Sequence, residues 1–158
     1  MSKLEVKENK RLTLKNVIIN ELHNIKLENL DSEIQKFVNY LQVLKIQTFG
    51  PLITKLIGTN IHNDGLITCD YDVMVQAHDY HLYKDKFKVT KEYNCDYCIY
   101  TRFEGKIENL NYAYTKLDLH IYENDLMTKG EVYSVFLSNT PNHMVVDLFR
   151  PVTRNETL

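Results

Sequence analysis

The sequence predicts an α+β fold: two pseudo-symmetric β-α-β-β units forming an antiparallel sheet, with two helices on one face and the other face left open, to be solvated, paired with another protein or used as a groove. Three observations carry this prediction. Apolar residues alternate in short runs and recur at helical spacing in two longer ones, in the order strand, helix, strand, strand, and that order occurs twice. An offset of 80 residues lays Val17 on Tyr97, Ile34 on Tyr114, Phe37 on Leu117, Leu41 on Ile121 and Gly50 on Gly130 in one register. Two units this short cannot stack as a solenoid, and 158 residues suffice for one sizeable core, so a single domain over 1–158 is expected.

The elements follow in order. Leu14 to Leu22 (LKNVIINEL) is a β-branched run suited to a strand. In LENLDSEIQKFVNYLQVL, Leu30, Ile34, Phe37, Leu41 and Leu44 stand at helical spacing, with Asp31 or Ser32 as the N-cap. GPLITKLIG (Gly50 to Gly58) and DYDVMVQA (Asp70 to Ala77) read as strands around a turn containing Asn63-Asp64-Gly65. The first unit thus spans about 12–77. A polar, charge-rich connector, HDYHLYKDKFKVTKE, covers 78–92. The second unit, about 93–152, begins with the strand Cys95 to Phe103 and continues with a helix from about Glu108 to Asn124. KGEVYSVFL (Lys129 to Leu137) and HMVVDLFRPV (His143 to Val152) are its closing strands.

Composition narrows the function. A formal charge of −2 offers no general attraction to phosphate backbones or acidic membranes, so neither nucleic acid nor membrane is an expected partner. The N-terminus lacks the apolar core of a signal peptide, no run approaches the roughly 18 apolar residues of a membrane span, and a cytoplasmic location is expected. Three cysteines, an odd count, argue for reduced thiols rather than a disulfide framework. Eleven tyrosines without a tryptophan suit a wall that is wet when empty and covered when occupied, although coding bias toward Lys, Asn, Ile and Tyr explains the same count.

One carboxylate stands out. Strand alternation puts Glu131, Tyr133, Val135 and Leu137 on one face and Val132, Ser134 and Phe136 on the other, so Glu131 and Tyr133 point to the open face if Val132 and Phe136 lie under the helices. The matching strand of the first unit carries Pro51, Ile53 and Lys55, without an acid. A carboxylate among tyrosines can pair with an organic cation, whose desolvation is otherwise costly, or serve as a general acid or base when burial raises its pKa. A solvated strand-edge residue, or a partner for a nearby lysine, is the plainer role.

Four stretches then bear a likeness to a known family: Tyr97 to Gly105, Asn111 to Leu117, Gly130 to Tyr133, and Val146 to Val152. In order and spacing they resemble the GyrI-like domain, the effector-binding domain of bacterial transcription activators. The first half agrees more loosely, through Gly50-Pro51 and Asp72 to Val75. The resemblance implies a ligand groove between the halves on the open sheet face, with Glu131 at the family's ligand-contacting glutamate and Tyr133 beside it. Tyr97, Tyr100, Tyr71, Met74 and Phe149 become wall residues. Only some 13 residues precede the first expected strand, too few for the DNA-binding segment of family regulators, which implies a stand-alone binding module. A small, partly apolar and cationic molecule is the expected ligand. A protein partner is the alternative, since similar stand-alone proteins accompany type VII secretion gene clusters, and a small hydrolase using Glu131 is the second alternative.

Other motifs have plainer accounts. Cys95-Asp-Tyr-Cys98 falls on an expected strand, where residues three apart face opposite sides, and no second such pair completes a metal site. His78 and His81 lie in the polar connector and read as solvated, while His120 reads as a boundary residue of the second helix. No phosphate loop, nucleophile elbow or kinase signature occurs, and neither a cofactor nor a metal is expected.

Overall fold

The computed structural model describes residues 4–140 and 142–154. Among them the chain runs β1 (Lys7–Lys26), α1 (Leu27–Val43), β2 (Thr48–Ile61), β3 (Ile67–Ala77), β4 (Lys88–Gly105), α2 (Leu110–Glu123), β5 (Leu126–Met127), β6 (Val132–Thr140), β7 (His143–Pro151) and β8 (Thr153–Arg154). The fold is α+β, and its strand ladders are antiparallel. Single 3-10 turns occupy Tyr80–Tyr83 and Ile107–Asn109.

The chain divides into two compact units. The first is Leu14–Tyr93; the second joins the segment ending at Thr13 to the chain from Asn94 onward. In the first unit β3 is the central strand, paired with β1 and β2. In the second unit β7 takes that place between β4 and β6. Each unit covers one sheet face with its own helix. Phe37 and Leu41 of α1 pack on Ile18, Leu22, Val73 and Val75, while Ala113 and Leu117 of α2 pack on Ile99, Phe103, Val146 and Leu148. Alternation places these strand residues on a single face, and helical spacing gives each helix one stripe to set against it.

Three expectations need correction. The first strand extends beyond Leu14–Leu22 in both directions, because Asn9, Asn16 and Asn24 take left-handed φ angles of 53–56° and bend the strand without ending it. The last third of the expected connector is strand, with β4 beginning at Lys88 and Val89 packed on the first core. Helix α1 starts at Leu27, four residues before Asp31, on an extended Lys26 that makes no side-chain cap. Ser32 lies inside the helix, where its hydroxyl donates to the carbonyl of Asn29 (2.9 Å).

The internal repeat is written in the backbone more clearly than in side chains. Left-handed residues recur in pairs: Asn16 with Tyr97 in β1 and β4, Lys45 with Asp125 just past the two helices, and Gly50 with Gly130. The helix-end pair supplies the turn that satisfies terminal carbonyls. Gly50 is at φ +71°, and a Cβ there would stand 3.0 Å from Nε2 of Gln76. Gly50→Ala is therefore expected to cost about 1–2 kcal/mol in urea unfolding, combining left-handed strain with the displacement of Gln76.

Candidate functional site

The register of the second unit assembles an aromatic row. On the face away from α2, Tyr133 of β6 is opposite Phe149 of β7, which is opposite Tyr100 of β4. Phe149 and Tyr100 stand 5.0 Å apart between ring centroids, in a tilted arrangement. The next row is Val135, Asp147 and Arg102. Ser134 and Phe136 turn the other way: Ser134 lies 3.3 Å from the Tyr114 hydroxyl on α2, and Phe136 packs into the helix core.

Asp147 anchors this face. Its carboxylate accepts from Nε and Nη2 of Arg102 (2.7 and 3.0 Å) and from the Tyr100 hydroxyl (2.8 Å). Planar guanidinium and carboxylate match in a two-point contact, which fixes the orientation of both. Burial first, then the bond to Asp147, push the Tyr100 hydroxyl above its ordinary pKa, so it stays protonated as the donor.

Glu131 stands two residues before Tyr133, just ahead of β6, and lines a cleft of about 340 Å³ with Asp96, Tyr97, Met127, Lys129 and Val152. A second cleft, about 420 Å³, also has Tyr97 in its wall and is lined by Glu8, Ile99, Leu126 and Arg154. Tyr97 thus lines two concavities and is 73% exposed. Its φ of 58° is costly for a bulky residue. The equivalent bend in the first unit uses Asn16, a residue that tolerates this conformation. Backbone geometry alone does not call for a tyrosine, and the ring is what the second unit gains. Asp96 pairs with Arg11 at 2.8 Å, both more than half exposed, so that ion pair is worth little.

The same bend overturns one expectation. Cys95 and Cys98 do not face apart: the left-handed Tyr97 between them folds the strand so that their sulfurs lie 3.6 Å from each other.

The remaining wall residues divide. Met74 lies on the face of β3 away from α1, opposite Ile19 and Ile53, and is fully buried. Tyr71 lies on the opposite face of β3 and packs with the α1 core. The two are thus not brought together. His78 stacks on Phe49 at 4.5 Å, His81 meets Tyr80 edge-on at 5.5 Å, and His120 bonds to Glu8 at 2.8 Å. Among the described residues no three histidine, cysteine or carboxylate side chains gather as a metal site would require.

Sequence reasoning passed over the acids of the two central strands. Met74 pairs with Ile19 and Ile53 as Phe149 pairs with Tyr100 and Tyr133, and this makes Asp72 the counterpart of Asp147. Where Asp147 has Arg102 on β4, Asp72 has Glu21 on β1 and Lys55 on β2. Oδ1 of Asp72 is buried without a hydrogen-bond partner among the described residues. Desolvation, opposed by the charge of Lys55, raises its pKa above the ordinary value of 3.8. The visible signal was an aspartate inside each apolar run, DYDVMV and VVDLF.

A carboxyl with a raised pKa in the folded state binds its proton more tightly there than in the unfolded chain. Its contribution favours the folded state in acid and is lost as pH rises through the raised value. Asp72→Asn is accordingly expected to raise the melting temperature at neutral pH by a few degrees, with the two melting curves converging in acid. Thermal melts across pH check this directly.

No family model and no curated protein match the chain. Solved structures do. The C-terminal domain of EcmrR is 12% identical and aligns over 97% of this chain and 98% of its own, with a TM-score of 0.65. SAV2435 bound to tetraphenylphosphonium is 10% identical, aligns over 96% of this chain and 94% of its own, and gives a TM-score of 0.56. A hydrolase encoded by lin2189 from Listeria innocua is also 10% identical, aligns over 96% of this chain and 92% of its own, and gives 0.52. At these identities the likeness establishes a shared fold. Among the described residues no helix is long and apolar enough to cross a membrane.

Proposed function

We propose that this chain is a GyrI-like binding module that takes a small, partly apolar organic cation, with Glu131 as its charged anchor. The observation that carries the reading is the cleft in which Glu131 shares a wall with Tyr97, an exposed residue on a strained backbone. Strain of this kind persists where the surroundings enforce it and gathers at ligand sites. An aromatic face attracts a cation by its quadrupole, and a nearby carboxylate adds direct charge attraction. Met127 and Val152 supply apolar surface for the rest of such a molecule. Lys129 lines the same cleft, so bulky cations with diffuse charge suit it better than small ones, whose charge would lie wholly within reach of the ammonium.

The shared fold supports the reading, because SAV2435 has been captured with tetraphenylphosphonium, a cation of this class. A thermal-shift titration with tetraphenylphosphonium tests it, since a ligand that binds the folded state raises the melting temperature with concentration. The cation is expected to stabilise the protein, and an uncharged aromatic compound of similar size to do so less. Equal responses to both would remove the carboxylate from the account.

A further inference from the structure

We propose that Cys95 and Cys98 form an oxidisable dithiol whose closure to an intramolecular disulfide reshapes the Tyr97–Glu131 cleft. The sulfurs are 3.6 Å apart, beyond covalent distance, and need to approach to about 2 Å. Tyr97 makes this meeting available through its left-handed φ of 58°, which turns the strand between the two cysteines. The thiols differ in setting. Cys98 is fully buried, whereas Cys95 is half-buried and meets a dissolved oxidant first.

The chemistry balances with a peroxide as oxidant. Cys95, as thiolate, attacks one oxygen of hydrogen peroxide; the O–O bond breaks, hydroxide leaves and takes up the thiol's proton, and a sulfenic acid remains. The sulfur of Cys98 then attacks the sulfur of Cys95, the S–O bond breaks, and a second water carries away the Cys98 proton. Two thiols lose two electrons in total, and one peroxide becomes two waters. Cys98 is unsuited to the first step: its bond to Cys95, then burial, and then negative charge at Cys95, Asp96 and Glu131 hold its thiol protonated, and the thiolate is the nucleophile. Its place 3.6 Å from Cys95 fits it to the second, in which the departing hydroxide takes its proton as it attacks.

Both residues between the sulfurs, Asp96 and Tyr97, line the cleft. The Tyr97 carbonyl also accepts the backbone N–H of Val152 at 3.1 Å, and Val152 lines the cleft too. Closing the bridge shortens the span that holds these groups, so the position of the ring changes with the redox state. Formation of the disulfide is independent of the ligand reading; its effect on affinity rests on that reading. Linkage makes the effect mutual: a bridge that changes the affinity for a cation is itself favoured or disfavoured by that cation by the same factor.

The native protein is treated with hydrogen peroxide, denatured, alkylated and digested with trypsin. The peptide Glu92 to Arg102, which carries both cysteines, is expected to be lighter by two hydrogens and to take up no alkyl group, while Cys69, buried in the first unit, remains alkylated. Cys98→Ser is expected to stop at a sulfenic acid on Cys95, trapped by dimedone. Cys95→Ser, at the more exposed position, keeps the test available should the buried variant not fold, and leaves Cys98 largely unoxidised. Recovery of the wild-type peptide with both thiols alkylated, carrying extra oxygens, or linked to another chain overturns the site. In a second arm, the affinity for tetraphenylphosphonium is expected to change about fivefold or more on oxidation and to recover with dithiothreitol. An unchanged affinity in bridged protein that still binds the cation overturns the coupling. Absence of cation binding in both redox states counts against the ligand reading and the coupling, and leaves the mass result to decide the disulfide.

Discussion

Phe103→Ala should lower the stability of the second unit by about 3–5 kcal/mol, the cost of removing a fully buried aromatic side chain and leaving a cavity. Phe103 has no exposed surface and packs with Leu117, Ala113 and Val146 where α2 meets the sheet. Val146 and Leu148 sit on β7, which is paired on both sides, and Ala113 and Leu117 on the helix itself, so the site has little room to collapse. Urea unfolding measures the effect through the transition midpoint. A loss below about 1 kcal/mol would mean that the packing of α2 on the sheet is wrong.

Glu131→Gln is the corresponding expectation for the cleft. The substitution keeps shape and removes charge, so stability should be nearly unchanged while the affinity for tetraphenylphosphonium falls about tenfold to a hundredfold. The size follows from charge attraction over a few ångströms at the effective dielectric of a protein surface, less the cost of desolvating the carboxylate, with each decade worth about 1.4 kcal/mol. Tyr97→Ala removes the facing ring, and its expected loss is smaller, about 0.5–2 kcal/mol. Isothermal titration of the three proteins separates these contributions. Equal affinities for wild type and Glu131→Gln would contradict the anchoring role.

How far the sequence was legible depended on how many faces of each strand are covered. In β6 the alternation read correctly as far as Phe136, because Ser134 and Phe136 lie on the helix side while Tyr133 and Val135 lie away from it, and a register shift between Phe136 and Ser138 breaks it at Leu137. In β3 both faces are buried, with Val73 and Val75 on one and Met74 on the other, so the period-two signal fades, and Tyr71, set on the groove wall with Met74, lies instead on the α1 side. Asp72 went unremarked for the same reason: a single acid in a run that is apolar on both faces gives no periodic signal, although its partner set differs from that of Asp147. The Cys95–Cys98 contact was hidden because strand alternation assumes a regular backbone, and the left-handed φ at Tyr97 breaks it. That bend was nonetheless present in the repeat, at Asn16, where an asparagine in a β-branched run was a readable hint.

The most direct test of the account is a crystal structure of the protein with tetraphenylphosphonium. The phosphonium is expected in the cleft beside the Glu131 carboxylate, with the Tyr97 ring within about 6 Å of the cation. A cation bound elsewhere with the cleft unaltered would contradict it.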